Sequence, residues 1–200
     1  MNAPNVVIVA NGGANIASLQ FALERLNVSS LVSSDPDAIG AASHVILPGV
    51  GAAANAMERL RRDGLHDVIP KLRQPVLGIC LGMQLLFESS DEGDTRCLGI
   101  IPGRATRFTE AQGRPVPHIG WNTVQLGRDS PLLAGMRGDD YAYFVHSYAL
   151  PVTSATVAST QYGSSFSACV EWGNFFGAQF HPERSAALGA RMLQNFLAIA

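Results

Sequence analysis

The sequence has few charged residues, no cluster of positive charge and no long hydrophobic segment. Asp, Glu, Lys and Arg make up 15% of its 200 residues, against about 25% in an average protein. The net charge is −2, and no run of like charge exceeds two residues, as at Arg61-Arg62. A nucleic-acid-binding protein would show a basic stripe, and a membrane helix needs roughly 20 apolar residues. Neither is present. The low charge content fits either a face covered by a partner protein or a smooth neutral surface.

Cysteines and metal-ligand motifs are also scarce. The three cysteines, Cys80, Cys97 and Cys169, are too scattered for a disulfide framework. No CxxC or HExxH spacing suggests a metal site, and no glycine-rich dinucleotide motif occurs. The first residues, Met1 to Asn5, lack the basic start of a signal peptide. We therefore expect a reduced, cytoplasmic protein that uses no metal and no cofactor.

Strand and helix patterns alternate in the first half of the sequence. Apolar runs predict strands at 6–10, 44–47 and 74–80, and helical periodicity predicts helices at 15–26, 52–62 and 81–90. This alternation is typical of a parallel sheet with helices on both faces.

The second half has shorter apolar stretches separated by Gly, Pro or polar pairs from residue 98 to residue 180. These stretches predict an antiparallel extension of the same sheet. Ser185 is the expected N-cap of a closing helix at 186–199, whose Leu188, Met192, Leu193 and Phe196 face inward. We predict one α/β domain over residues 1–200, with an open, mostly parallel central sheet, helices on both faces and an antiparallel extension.

The segment Gly78-Ile79-Cys80-Leu81-Gly82 lies between a predicted strand and a predicted helix. It has the form of a nucleophile elbow, in which glycines two residues before and after the nucleophile allow neighbouring backbone to approach. Cys80 would lie at a helix N-terminus, where the dipole favours the thiolate. The N–H of Leu81 would point to the same space and could bind an oxyanion. A buried structural cysteine beside a tight turn is the alternative.

A cysteine nucleophile needs a base, and His181 is the candidate among the five histidines. Glu183 follows it by two residues, so in an extended chain both side chains lie on one side. Glu183 could then accept a hydrogen bond from His181 and orient its ring. A structural histidine at a strand end with a solvated glutamate is the alternative. His44 and His66 are interpreted as structural.

The segment Leu47 to Gly51 directly follows the second predicted strand. The carboxyl ends of parallel strands meet at one edge of a sheet, where open α/β proteins place their sites. This loop could therefore lie beside Cys80 and donate a second N–H to the oxyanion. An ordinary strand-to-helix turn would also be rich in Pro and Gly.

Taken together, these motifs resemble the triad-type (class I) glutamine amidotransferases, in which GxCxGxQ precedes HPE. Within that family the chain looks similar to the glutaminase subunits of imidazole glycerol phosphate synthase. The similarity spans almost the whole chain and is carried by 47–51 (LPGVG), 78–84 (GICLGMQ), 117–122 (PHIGWN), 143–148 (YFVHSY) and 179–185 (QFHPERS).

The resemblance implies a catalytic triad, a substrate and a partner. Cys80, His181 and Glu183 would hydrolyse glutamine through a glutamyl thioester, without a cofactor. The N–H groups of Leu81 and the Val50-Gly51 segment would form the oxyanion hole. A cyclase subunit would form a heterodimer with the chain and use the ammonia to make imidazole glycerol phosphate and AICAR in histidine biosynthesis. The residues implied for substrate binding are Gly49, Gln84, Ser147 and Tyr148, and those implied for docking are Asn15, Ser18, Trp121 and Asn122.

Several alternatives remain open at the level of sequence. Gln84 could be an ordinary polar residue of an amphipathic helix, and Trp121 could be core packing; His146 is interpreted as support for its loop. The chain could also be the glutaminase of another synthase, or a γ-glutamyl or cysteine-peptidase-type hydrolase. A catalytically silent subunit would have lost part of the triad, and all three residues are present.

Overall fold

The computed structural model describes residues 4–12 and 15–200. Residues 1–3, which entered the localisation argument, lie outside this range. Within the described residues, the helices are α1 (Ile16–Glu24), α2 (Pro36–Gly40), α3 (Ala53–Arg62), α4 (Leu65–Val68), α5 (Leu81–Leu85) and α6 (Ala186–Leu197). The strands are β1 (Val6–Val9), β2 (Ser30–Ser33), β3 (His44–Gly49), β4 (Val76–Cys80), β5 (Phe87–Ser90), β6 (Thr95–Arg96), β7 (Ile101–Arg107), β8 (His118–Thr123), β9 (Gln125–Leu126), β10 (Tyr141–His146), β11 (Tyr148–Ala149), β12 (Thr156–Tyr162), β13 (Ser164–Trp172) and β14 (Phe175–Ala178).

An eight-stranded sheet forms the centre of the fold, in the order β2-β1-β3-β4-β14-β13-β12-β9. The first five strands are parallel, and the last three continue the sheet in antiparallel pairs. Strands β3 and β4 end side by side, with Gly49 paired to Cys80, and β14 ends next to them at Ala178. The parallel α/β sheet predicted from the sequence is confirmed, and its carboxyl edge collects the functional segments.

Both faces of the sheet are covered by apolar side chains. Val6 and Ile8 of β1 pack into one core cluster with residues of α1 and α6, whereas Val7 and Val9 pack into a second cluster with residues of α3 and α5. Because alternate strand residues face opposite sides, a strand buried on both faces reads as a continuous apolar run.

The predicted antiparallel extension is only partly correct. Strands β9, β12 and β13 extend the main sheet, but β8 and β10 form a separate two-stranded ribbon, and β5, β6, β7 and β11 form a four-stranded sheet. The alternation of apolar and polar residues along a strand predicts which side chains are buried, but not which strands pair. The sequence therefore could not distinguish one sheet from three.

The helix predicted at 81–90 is also shorter than expected. It ends at Leu85, and the chain continues as β5. Leu85, Leu86 and Phe87 are all fully buried. Hydrophobic periodicity does not distinguish a short strand with three consecutive buried residues from a continuation of a buried helix. The closing helix α6 matches its prediction closely, and no helix of the described residues is long and apolar enough to cross a membrane.

Candidate active site

Cys80 occupies the sharp turn between β4 and α5. Its backbone φ of +54° and ψ of −112° are strained for any residue with a side chain. A Cβ on Gly82 would overlap the carbonyl oxygen of Leu47 in β3, and a Cβ on Gly78 would lie 2.7 Å from the carbonyl oxygen of Gly82. Gly82 therefore allows the backbone of α5 to touch that of β3, and Gly78 allows the end of β4 to touch α5, which together hold the elbow in place.

The short length of α5 corrects one part of the sequence argument. With five residues, α5 aligns fewer peptide dipoles than the predicted ten-residue helix would, so the macrodipole contributes less to thiolate formation. Leu81 is the first residue of α5, and its N–H has no acceptor within the helix. That N–H remains a donor at the position expected for the oxyanion.

His181 and Glu183 lie at the same edge of the sheet, just beyond β14. The Nδ1 atom of His181 is 2.8 Å from Oε1 of Glu183, and both side chains are nearly inaccessible to solvent. The contact forms although Pro182–Arg184 is a 3-10 turn, and not the extended chain from which it was predicted. Nδ1–H donates to the carboxylate, which leaves Nε2 of His181 for Cys80.

The electrostatic surroundings of His181 favour its protonated form. Burial alone would lower the pKa of His181, but hydrogen bonds and charge interactions with Cys80 and Glu183 outweigh it and raise the pKa to about 10. His181 can therefore hold a proton at neutral pH and donate it to a leaving group.

A buried amide pair adjoins the thiol. Nε2 of Gln84 donates to the carbonyl oxygen of Tyr148 at 2.9 Å and to Oε1 of Gln179 at 2.9 Å. Nε2 of Gln179 lies 3.8 Å from Sγ of Cys80. Both amide hydrogens of Gln84 are thus used within the protein, and only its carbonyl oxygen is left for a substrate. Gln179 was not predicted as a site residue, although it begins the segment 179–185.

A cavity of about 340 Å³ opens above the thiol. Its lining includes most of the residues expected from the sequence, namely Asn15, Val50, Gly51, Cys80, Leu81, Gln84, Ser147, Tyr148 and His181. Glu92 and Arg184 also line it. Neither was predicted as a site residue, since Glu92 belongs to no recognisable motif and Arg184, although it lies in the segment 179–185, was given no role. Gly49 is buried instead, where a Cβ would lie 2.6 Å from the amide nitrogen of Gly82.

The residues expected at the docking surface have different surroundings. Asn15 is half-buried, with Nδ2 3.3 Å from Nδ1 of His181, while Ser18 is exposed on α1. Trp121 is 53% exposed and meets Tyr143 edge to face, so the core-packing alternative for Trp121 is wrong. Ile119 and Tyr141 are exposed on the same ribbon.

His118 and His146 form a buried pair behind the Ser147-Tyr148 loop. Nδ1 of His146 is 2.8 Å from the carbonyl oxygen of Tyr148, as expected for a residue that supports the loop. Burial lowers the pKa of His118 to about 4 and that of His146 to about 3. Across the described residues, no cluster of His, Cys, Asp and Glu has the arrangement of a metal site.

Comparison with known proteins agrees with this geometry. The family described as "Glutamine amidotransferase class-I" matches residues 7–200. Two solved structures share the fold: a glutamine amidotransferase, with a TM-score of 0.74, 20% identity and 96% coverage of each chain, and PurLQS from Thermotoga maritima, with a TM-score of 0.72, 20% identity and 98% coverage of each chain. The chain belongs to the class I glutamine amidotransferase family.

More similar relatives carry a specific name. Imidazole glycerol phosphate synthase subunit HisH from Xanthomonas campestris pv. campestris (strain 8004) is 53% identical over 193 residues, which is 96% of each chain. The subunit of the same name from Xylella fastidiosa (strain Temecula1 / ATCC 700964) is 52% identical over 192 residues, again 96% of each chain. The resemblance seen in the sequence motifs is confirmed.

Proposed function

We propose that this chain hydrolyses glutamine to glutamate and ammonia and passes the ammonia to a cyclase subunit. The observation that carries the proposal is the strained Cys80 in the same cavity as His181, whose ring is bonded to Glu183 on its other side. The HisH relatives support the same activity and favour a histidine-biosynthesis synthase over another synthase or a peptidase. We treat residues 1–200 as one amidotransferase domain and assign it to the cytoplasm, where its three buried free thiols stay reduced.

In the first half-reaction, the sulfur of Cys80 attacks the side-chain amide carbon of glutamine. The C–S bond forms, the carbonyl oxygen becomes an oxyanion, and His181 donates its proton to the departing nitrogen. The C–N bond then breaks, which releases ammonia and leaves a glutamyl thioester on Cys80.

In the second half-reaction, His181 is a base. It removes a proton from water, the resulting hydroxide attacks the thioester, and the C–S bond breaks to give glutamate and the original thiolate–imidazolium pair. Glu183 orients the ring in both halves and stabilises its positive charge. The oxyanion of each step is assigned to the N–H of Leu81 and to the Val50-Gly51 segment.

The cavity suits a zwitterionic amino acid. Arg184 can pair with the α-carboxylate of glutamine and Glu92 with its ammonium group, and both line the cavity that contains Cys80. The carbonyl oxygen of Gln84 and the Ser147-Tyr148 loop complete the substrate contacts. Gly49 contributes through the close packing of the elbow instead of a direct contact.

Delivery to the partner would use the exposed apolar face of the β8–β10 ribbon. Ile119, Trp121 and Tyr141 are exposed there, and aromatic residues of this kind anchor many protein interfaces. Ammonia released to water at neutral pH would become ammonium, which is a poor nucleophile, so a covered site has a chemical advantage.

The decisive experiment measures glutamate release by the purified chain, first alone and then with the cyclase subunit and its nucleotide substrate. Strong stimulation by the loaded cyclase is expected. Full activity that is indifferent to the cyclase would contradict the assigned partner, and no release under either condition would contradict the enzyme.

Matched cysteine variants isolate the nucleophile. Cys80→Ser should abolish turnover while partner binding persists. Cys169→Ser is the control, because Cys169 is fully buried and its pKa is raised by burial. Turnover retained in Cys80→Ser would remove Cys80 from the mechanism.

A further inference from the structure

A series of polar contacts joins the β8–β10 ribbon to the wall of the active-site cavity. Nδ2 of Asn122 lies 3.3 Å from Nε2 of His118, and Nδ1 of His118 lies 3.0 Å from Nε2 of His146. Nδ1 of His146 then lies 2.8 Å from the carbonyl oxygen of Tyr148. The proposed mechanism uses neither histidine.

The groups at the two ends of this series of contacts, the Tyr148 carbonyl and the Asn122 amide, determine the position of every hydrogen within it. A carbonyl oxygen only accepts, so Nδ1 of His146 carries a hydrogen. At the other end, Oδ1 of Asn122 accepts from the N–H of Thr123 at 2.9 Å, and Nδ2 donates to the carbonyl oxygen of Gln161 at 3.0 Å. The Asn122 amide is therefore oriented with its donor toward His118.

Between these ends only one assignment pairs every donor with an acceptor. Nε2 of His118 accepts from Asn122, so Nδ1 of His118 carries the hydrogen that Nε2 of His146 accepts. Both rings are then neutral and hydrogen-bearing at Nδ1. The aromatic rings of Phe108, Phe144 and Phe166 surround the pair, and an added proton would be buried among them.

The carbonyl oxygen of Tyr148 accepts a second hydrogen bond, from Gln84. Gln84 in turn donates to Gln179, whose amide reaches the Cys80 sulfur. The histidine pair therefore orients the same peptide group that the amide pair beside the nucleophile uses. Ser147 and Tyr148 line the cavity at this place.

We propose that His118 and His146, both as neutral Nδ1–H tautomers, are positioning residues that hold the Tyr148 carbonyl and so set the glutamine-binding loop from the ribbon. The proposal rests on the proposed function, because the loop is assigned to glutamine. The tautomers can be measured without any turnover, so failure of this proposal is distinguishable from failure of the proposed function.

The first test is nitrogen NMR of the chain labelled in its histidine rings, at pH 7. Both rings should show a protonated Nδ1 and an unprotonated Nε2. Asn122→Asp removes the donor that faces His118, so Nε2 of His118 should become protonated. In the unsubstituted chain, cationic rings or Nε2–H tautomers would overturn the proposal. In Asn122→Asp, an unchanged signal from Nε2 of His118 would overturn it.

The second test is steady-state kinetics of the complex with its cyclase. His146→Leu removes the donor to Tyr148 and should raise KM for glutamine at least tenfold, with a smaller change in kcat. His146→Asn keeps an N–H near the Nδ1 position and should recover most of the lost affinity. His44→Asn is the control, since His44 is buried elsewhere and bonds to Ile199.

A His146→Leu chain that folds and keeps its KM within twofold would refute the positioning role. If that variant fails to fold, His146→Asn and the NMR measurement decide the question by themselves. A His146→Asn chain that folds but shows a tenfold or greater rise in KM for glutamine would likewise contradict the role of the Nδ1–H, because the asparagine N–H replaces that donor.

Discussion

Acidification should destabilise this protein well before its carboxylates titrate, because it contains buried neutral histidines. The folded pKa values of His118 and His146, about 4 and about 3, lie below the ordinary value of 6.5. The stability that these groups confer is complete above pH 6.5 and is lost as the pH falls toward the folded values. In that window the unfolded chain binds two protons that the folded chain does not.

The size of the effect follows from the same linkage. Between pH 7 and pH 5, each histidine costs about 2 kcal/mol, since one pKa unit corresponds to about 1.4 kcal/mol. His181 acts in the opposite sense, because a raised folded pKa adds stability that is complete below pH 6.5. Its contribution to the free energy of unfolding increases by about 1 kcal/mol between pH 7 and pH 5. The net loss from these three histidines between pH 7 and pH 5 is therefore about 3 kcal/mol. His44, whose pKa is also lowered by burial, acts in the same direction as His118 and His146.

Urea unfolding at pH 7, 6 and 5 measures this loss directly. The slope of the free energy of unfolding against pH should correspond to proton uptake on unfolding, and His146→Asn should reduce that uptake by about one proton. A free energy that changes by less than about 1 kcal/mol from pH 7 to pH 5 would refute the reasoning, as would an unchanged slope in the variant.

Three further changes test other parts of the structure. Gly82→Ala would place a methyl group against the carbonyl oxygen of Leu47. It should lower the free energy of unfolding in urea by at least about 1–3 kcal/mol and also lower kcat, and an unchanged free energy of unfolding would contradict the close packing. Glu183→Gln should reduce kcat less than His181→Ala does, because orientation is lost while the base remains; an equal or greater loss in glutamate-release assays would exclude the orienting role. Trp121→Ala should weaken cyclase binding by at least about 2 kcal/mol in calorimetry; unchanged affinity would remove Trp121 from the interface.

Local steric rules made the elbow predictable from the sequence. The glycines at 78 and 82 and the nucleophile at 80 lie within one turn. The close contacts of Gly78 are with α5 itself, and those of Gly82 are with the adjacent strand β3. The His181–Glu183 contact was also predicted, since two residues so close in sequence can meet in either an extended or a 3-10 conformation.

The features of the site that the sequence did not predict depend on contacts between residues far apart in the chain. Gln84 and Gln179 are 95 residues apart, and nothing local in the sequence indicates that their amides meet beside a thiol. Ser185 shows the same limit. It precedes α6 as predicted, but no helix N–H bonds to its hydroxyl; the Oγ accepts from the N–H of Tyr143 and donates to the carbonyl oxygen of His181.

The separate β8–β10 ribbon has a mechanical consequence. Its two strands pair only with each other among the described strands, and side-chain hydrogen bonds join the ribbon to the eight-stranded sheet, from Asn122 to the carbonyl oxygen of Gln161 and from Thr160 to that of Thr123. The carbonyl oxygen of Tyr143 in β10 also accepts from the N–H of His181, and His146 at the end of β10 contacts the carbonyl oxygen of Tyr148. A partner that presses on the outer face at Trp121 would therefore act on the catalytic base and the glutamine loop together, through contacts other than those that pack the backbone of the elbow on β3.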